Sequence, residues 1–111
     1  MLYLDIESRS QCDLIRHGLE RYAQDLTTQI ICMSYAFDDG EIHDWFAEDE
    51  PFPKVVIDYF NSGGLITAHN AAFERVMFDY VVSQDHGFTP PKLEQWRCSM
   101  ARATAHGYLH R

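Results

Sequence analysis

Met1-Leu2-Tyr3-Leu4-Asp5-Ile6-Glu7-Ser8 opens the chain and decides its fold. Leu2, Leu4 and Ile6 alternate with Tyr3, Asp5 and Glu7, the period-two pattern of a strand with two unlike faces. Asp5 and Glu7 therefore project from one face, about 7 Å apart along the strand. Asp is ill suited to a strand interior, and two like charges side by side raise the cost. A divalent cation is the simplest compensation. A half-exposed edge strand with two solvated carboxylates is the other reading open at this point.

A chain of 111 residues makes one small domain with one core. The 46% hydrophobic content supports a packed body rather than a disordered tail. The longest apolar runs, such as Ile30-Ile31-Cys32-Met33, are too short to span a bilayer. Asp5 and Glu7 interrupt any signal-peptide layout at once, so the expectation is a soluble, intracellular protein. Cys12, Cys32 and Cys98 are odd in number and lack paired metal-ligand spacing, which reads as reduced thiols, Cys32 buried in a strand.

The net charge of −8 argues against a nucleic-acid partner, because phosphate binding is driven by Lys and Arg. Its distribution softens the objection. Asp38, Asp39, Glu41, Asp44, Glu48, Asp49 and Glu50 crowd one stretch, whereas Lys92, Arg97, Arg102 and Arg111 face only Glu94 near the C-terminus. Two surfaces of opposite sign, or ordinary solvated charge, both fit this pattern.

Residues 8–27 show no sustained period and read as a long loop, with one short helical turn around Asp13–Ile15 before Gly18. Gln29 to Phe37 is rich in β-formers and predicts a buried second strand; Asp38-Asp39-Gly40 turns the chain, and Glu41 to Phe46 returns as a third. Val55, Val56, Tyr59 and Phe60 make a helical stripe that Gly63-Gly64 ends. Leu65 to Ala68 predicts a fourth strand, and Asn70 an N-cap for a helix with Phe73, Val76, Met77, Tyr80 and Val81 on its buried face. Leu93 to Ala105 has helical spacing, with Trp96, Met100 and Ala103 on one face. The order predicts an α/β layered domain: a mixed sheet of a three-stranded meander plus a strand parallel to the first, with helices packed on it.

Glu74 lies one turn after Asn70, at the end of the fourth strand, where the crevice of an α/β sheet usually binds ligands. Asp5, Glu7 and Glu74 together form a set of hard oxygen ligands suited to Mg²⁺ or Mn²⁺ rather than zinc. Taken singly, Glu74 also reads as an acid at a helix N-terminus and Asn70 as a plain cap.

Leu4-Asp5-Ile6-Glu7-Ser8 resembles the first motif of the DEDD-type 3′–5′ exonucleases, which have the ribonuclease H-like fold, and Ala68-His69-Asn70-Ala71-Ala72-Phe73-Glu74 resembles the second. Arg21-Tyr22-Ala23, Met33-Ser34-Tyr35-Ala36 and Trp96–Ala103 extend the likeness to the N-terminal proofreading exonuclease region of phage-type family A DNA polymerases. Glu74 stands where most of the superfamily has Asp. The third motif, a Tyr or His followed by a metal-binding Asp, has no counterpart: no Asp follows Asp85, and Glu94 is the last acid. The expectation is a partial exonuclease domain, residues 1–111, lacking the last strand and C-terminal helix.

The resemblance implies hydrolysis of the terminal phosphodiester of single-stranded DNA at a two-metal site of Mg²⁺ or Mn²⁺. It gives Asp5, Glu7 and Glu74 the roles of metal ligands and catalytic carboxylates, with Asn70, Phe73 and Arg9 toward the substrate. Phe73 packs in the core or wedges a terminal base, and Arg16 and Arg21 are further phosphate contacts. Arg97 and Arg102 line the strand's path or solubilise their helix. The partners implied are a single-stranded DNA 3′ end and the remainder of a polymerase polypeptide, in a bacterial or phage-infected host cytoplasm, with no membrane. Without a third motif the 111 residues are expected to be inactive or weak alone. A non-catalytic nucleic-acid-binding or polymerase-docking module and an RNA-directed exonuclease are the alternative readings.

Overall fold

Alternation along the first strand is realised residue by residue in the computed structural model, which describes residues 1–38 and 40–99. In β1 (Leu2–Arg9), Leu2, Leu4 and Ile6 are buried and Tyr3, Asp5 and Glu7 exposed. β2 (Gln29–Phe37) and β3 (His43–Phe46) complete an antiparallel meander, with Asp5 opposite Ser34 and Ser34 opposite Asp44. β4 (Ile66–Ala68) lies parallel to β1 on its other side, reached through helix α3 (Lys54–Asn61). The sheet order is β3-β2-β1-β4, with a further strand β5 (Trp96–Cys98) beyond β4. The expected meander and parallel strand are both present.

The run Ile30-Ile31-Cys32-Met33, four apolar residues without alternation, contains a β-bulge. Ser8 pairs with Ile30 and Glu7 with Cys32, so Ile31 is the extra residue. Ile30 and Met33 consequently both enter the core, while Ile31 is 39% exposed. Cys32 is half-buried beside Glu7 rather than enclosed.

Three stretches differ from the sequence expectation. Within residues 8–27 the chain forms α1 (Leu14–His17) and α2 (Leu19–Gln24) instead of a long loop. Asp13 caps α1 by accepting hydrogen bonds from the Ile15 and Arg16 amides, and Gly18 takes φ 84° between the two helices. Tyr22 and Ala23 are thereby brought into the core. Secondly, Leu93–Gln95 is a 3₁₀ turn and Trp96–Cys98 is strand β5, parallel to β4, where a helix was expected. Gln95 explains the change: its side chain donates to the Phe60 and Gly64 carbonyls and accepts from the Lys92 amide, pinning the chain alongside β4. The sheet thus has a strand beyond the four foreseen, and Met100–Ala105 of the expected helix lies outside the described residues.

The third difference is a change of helix face. α4 (Ala71–Met77) runs into a π-helical turn (Phe78–Val82) and then α5 (Ser83–His86). The Ser83 hydroxyl donates to the Phe78 carbonyl at 2.6 Å, alongside the wide-turn backbone bond from the Ser83 amide. The extra residue in the turn shifts the buried face by one position. Phe78, Val81 and Val82 are buried and Tyr80 is 42% exposed, where Tyr80 and Val81 were expected inside.

The core lies between the sheet and the helices. Phe52, Phe60, Phe78, Phe88, Trp45 and Trp96 form its aromatic centre, with Phe78 ringed by Phe52, Phe60, Phe88 and Trp96 at centroid separations of 5.5–6.4 Å. The face of Tyr3, Asp5, Glu7 and Ser34 is the opposite, open side of the sheet. No helix among the described residues is long and apolar enough to cross a membrane. Phe78→Ala empties the middle of the aromatic centre and is expected to cost about 3–5 kcal/mol, read as a lower urea midpoint at unchanged slope.

Candidate metal centre

The site forms where β1 and β4 separate. The Leu2 amide donates to the Leu65 carbonyl at 3.0 Å, and pairing with β4 continues only through Leu2↔Ile66 and Tyr3↔Thr67. Ile6 presents its amide on the same edge as Leu2, but β4 ends at Ala68 and offers it no carbonyl. The Glu74 carboxylate fills that place, accepting from the Ile6 amide at 3.3 Å. Glu74 comes from the first turn of α4, and its side chain is 3% exposed. β1 also sits between β2 and β4, the point at which chain connections leave a sheet in opposite directions and open a crevice.

Burial pushes the Glu74 carboxyl up to about 8, and the neighbouring Asp5 charge adds to the rise; the Ile6 hydrogen bond opposes both. Among the described residues, Asp5, Glu7 and Glu74 take part in no ion pair. A buried carboxyl beside a second carboxylate, with no ion-paired cation on either among the described residues, is the setting that a bound cation would relieve.

Glu7 stands apart from this pair. Its Oε2 lies 3.7 Å from the Cys32 thiol across the strand, and burial, followed by the Glu7 charge, raises that thiol's pKa. Accordingly, no three His, Cys, Asp or Glu side chains among the described residues stand close enough to hold a metal ion. Asp5 and Glu74 are close enough for their charges to interact, and Glu7 is turned toward β2. A three-carboxylate cage would need Glu7 to leave Cys32.

Asn70 occupies the N-cap position of α4, yet its side chain makes no capping bond; its carbonyl accepts from the Phe73 and Glu74 amides. Asn70 is exposed. Phe73 is half-buried and packs on the core, the first of its two expected roles. Arg9 is placed elsewhere: both Nε and Nη2 donate to Gln29 Oε1, and the side chain borders a separate cavity with Phe46, Glu48 and Asp49. Arg16 and Arg21 are exposed on α1 and α2. Arg97 is folded back onto the Glu94 and Trp96 carbonyls, and Arg102 lies outside the described residues.

Three neighbours of the site escape sequence reading. Asp44 reaches the open face through the register Asp5↔Ser34↔Asp44, with the Ser34 hydroxyl donating to its carboxylate at 2.6 Å. The third is His69, which borders a cavity next to Asp5. Alternation within His43-Asp44-Trp45-Phe46 could have indicated Asp44, but only once the hairpin register was known.

No protein-family model matches the chain. A DNA polymerase of Bacillus phage SP02 is 34% identical over 109 residues, covering 96% of this chain and 16% of that polymerase. This chain is homologous to part of a phage DNA polymerase. The homologous region takes in β1 and the first turn of α4, and hence both carboxylate stretches, because it spans nearly the whole chain.

The raised Glu74 pKa fixes the sign of a pH effect in metal-free protein. Between its ordinary 4.5 and about 8, the native state keeps a proton that the unfolded chain has lost. Stability therefore falls as pH rises through that window, by at most about 1.4 kcal/mol per unit. Urea midpoints at pH 5 and pH 8 in chelator are expected to show this fall in wild type and a flatter profile in Glu74→Gln.

Proposed function

We propose that the chain contributes the first two carboxylate motifs of a metal-dependent 3′–5′ exonuclease, the proofreading region of a phage-type DNA polymerase acting on a single-stranded DNA end. The observation that carries this reading is the buried Glu74 carboxyl beside Asp5, without a cationic partner among the described residues, in a chain homologous to part of a phage DNA polymerase. Mg²⁺ or Mn²⁺ fits the oxygen donors present. When bound, the cation supplies Lewis-acid activation of water and neutralises charge on the leaving 3′ oxygen.

The chain's own residues set the stage for that chemistry. Asp5 and Glu74 hold the cation, and Glu7 joins them by exchanging its contact with Cys32 for the metal. Asn70, exposed at the start of α4, orients the strand end. Phe73 anchors α4 on the core, so that Glu74 stays against β1. The third-motif carboxylate and the base that accepts the water's proton are not among these 111 residues. The remainder of a polymerase would supply both, and the activity belongs to the cytoplasm of a bacterium or phage-infected host.

The turn of Glu7 toward Cys32, away from Asp5 and Glu74, favours a second reading, a module of the same fold that binds a DNA end without cutting it. Cation binding tests both readings, and cleavage separates them. Mn²⁺ at ten times its dissociation constant is expected to stabilise the wild type by about 1.4 kcal/mol and to leave Asp5→Asn unchanged. Equal melting temperatures with and without Mn²⁺ in a folded wild type would count against both readings. On 3′-labelled single-stranded DNA, stepwise shortening by the wild type joined to the remainder of a polymerase, and not by the Asp5→Ala form of the same polypeptide, selects the enzyme.

A further inference from the structure

The bulge that sets Ile31 outside the ladder also decides what stands opposite Glu7. Ser8 pairs with Ile30, so a regular antiparallel register would set Glu7 against Ile31, a side chain with nothing to donate. The extra residue sets it against Cys32 instead, and the thiol donates to Glu7 Oε2 at 3.7 Å. Arg9, two residues further along β1, would be the more obvious partner for that carboxylate. Its Nε and Nη2 are committed to Gln29 Oε1. Among the described residues, the Cys32 thiol is the one hydrogen-bond donor that the Glu7 carboxylate has.

Two residues further along β2, the side chain turns the other way. Ser34 stands opposite Asp5, but its hydroxyl donates to Asp44 on β3 at 2.6 Å. β2 thus holds Glu7 and leaves Asp5 without a side-chain bond from this strand. We propose that Cys32 is a positioning residue: it keeps Glu7 off the cation position in metal-free protein, and Glu7 joins Asp5 and Glu74 only by giving the thiol up. This inference rests on the shared-cation reading above. A thiol is a weak donor, so its hold on a carboxylate is light enough for a divalent cation to break. Cation and thiol compete for one carboxylate, and by linkage whatever removes one contact strengthens the other.

Mg²⁺ titrated into protein carrying ¹³C at its glutamate carboxyls and cysteine Cβ atoms reads both ends of the contact. In wild type the Glu7 carboxyl and Cys32 Cβ signals are expected to move together along one binding curve, and in Glu7→Ala the Cys32 signal stays in place. Cys32→Ala is expected to bind Mn²⁺ about two- to tenfold more tightly, the effect of one modest hydrogen bond. Cys32→Ser restores a donor and is expected to return the affinity toward wild type. Should Cys32→Ala fail to fold, the paired wild-type signals decide alone. Cation binding that leaves the Cys32 signal fixed, unchanged affinity in Cys32→Ala, or equal tightening in the alanine and serine variants overturns this inference and retains the shared cation. Cation binding by neither wild type nor Cys32→Ala overturns the two together.

Discussion

One hydrogen bond organises the middle of this molecule: the Ile6 amide to the Glu74 carboxylate, in the gap where β4 has ended and β1 continues. An unpaired strand amide at that depth would cost roughly 1–3 kcal/mol. Meeting it with a carboxylate, rather than a carbonyl, satisfies the backbone and brings a titratable acid into the interior next to Asp5. The same contact fixes α4 against β1. Removing Glu74 therefore alters packing and electrostatics together, and its isosteric amide is the cleaner probe of the charge.

The carboxylates depend on the opposite face for their position. Leu2, Leu4 and Ile6 are held by the aromatic core, so Tyr3, Asp5 and Glu7 are held outward with no freedom to exchange faces. The bulge at Ile31 lets Ile30 and Met33 share the core while Glu7 remains across from Cys32. The π-turn after Met77 serves α4 similarly, sending Phe78 and Val82 inward. A rigid hydrophobic layer supports an acidic, open surface, an arrangement suited to displaying ligands on strands rather than on loops.

Much of this was legible in the chain. Strict alternation over Leu2–Glu7 gave the faces of β1, and Gly63-Gly64 and the Asp38–Gly40 turn marked element ends through their own backbone chemistry. What escaped reading was set by distant contacts. Trp96-Arg97-Cys98 is too short for its period to be resolved, and it becomes a strand because Gln95 is tied to Phe60 and Gly64. Tyr80 was misplaced because one serine hydroxyl widens a turn. At the site, the positions of their elements put Asp5 and Glu74 near one crevice, and the charges of the two carboxyls do interact. The turning of Glu7 toward Cys32 could not, since it depends on a cross-strand register set by the bulge.

The proposed sharing of a divalent cation by Asp5 and Glu74 is open to direct test, because Mn²⁺ reports its own location through paramagnetic broadening. A sub-stoichiometric Mn²⁺ titration followed in ¹H–¹⁵N spectra is predicted to extinguish the amides of Asp5, Ile6 and Glu74 first. First losses confined to the acidic stretch at residues 41–50, with Ile6 untouched, would contradict it.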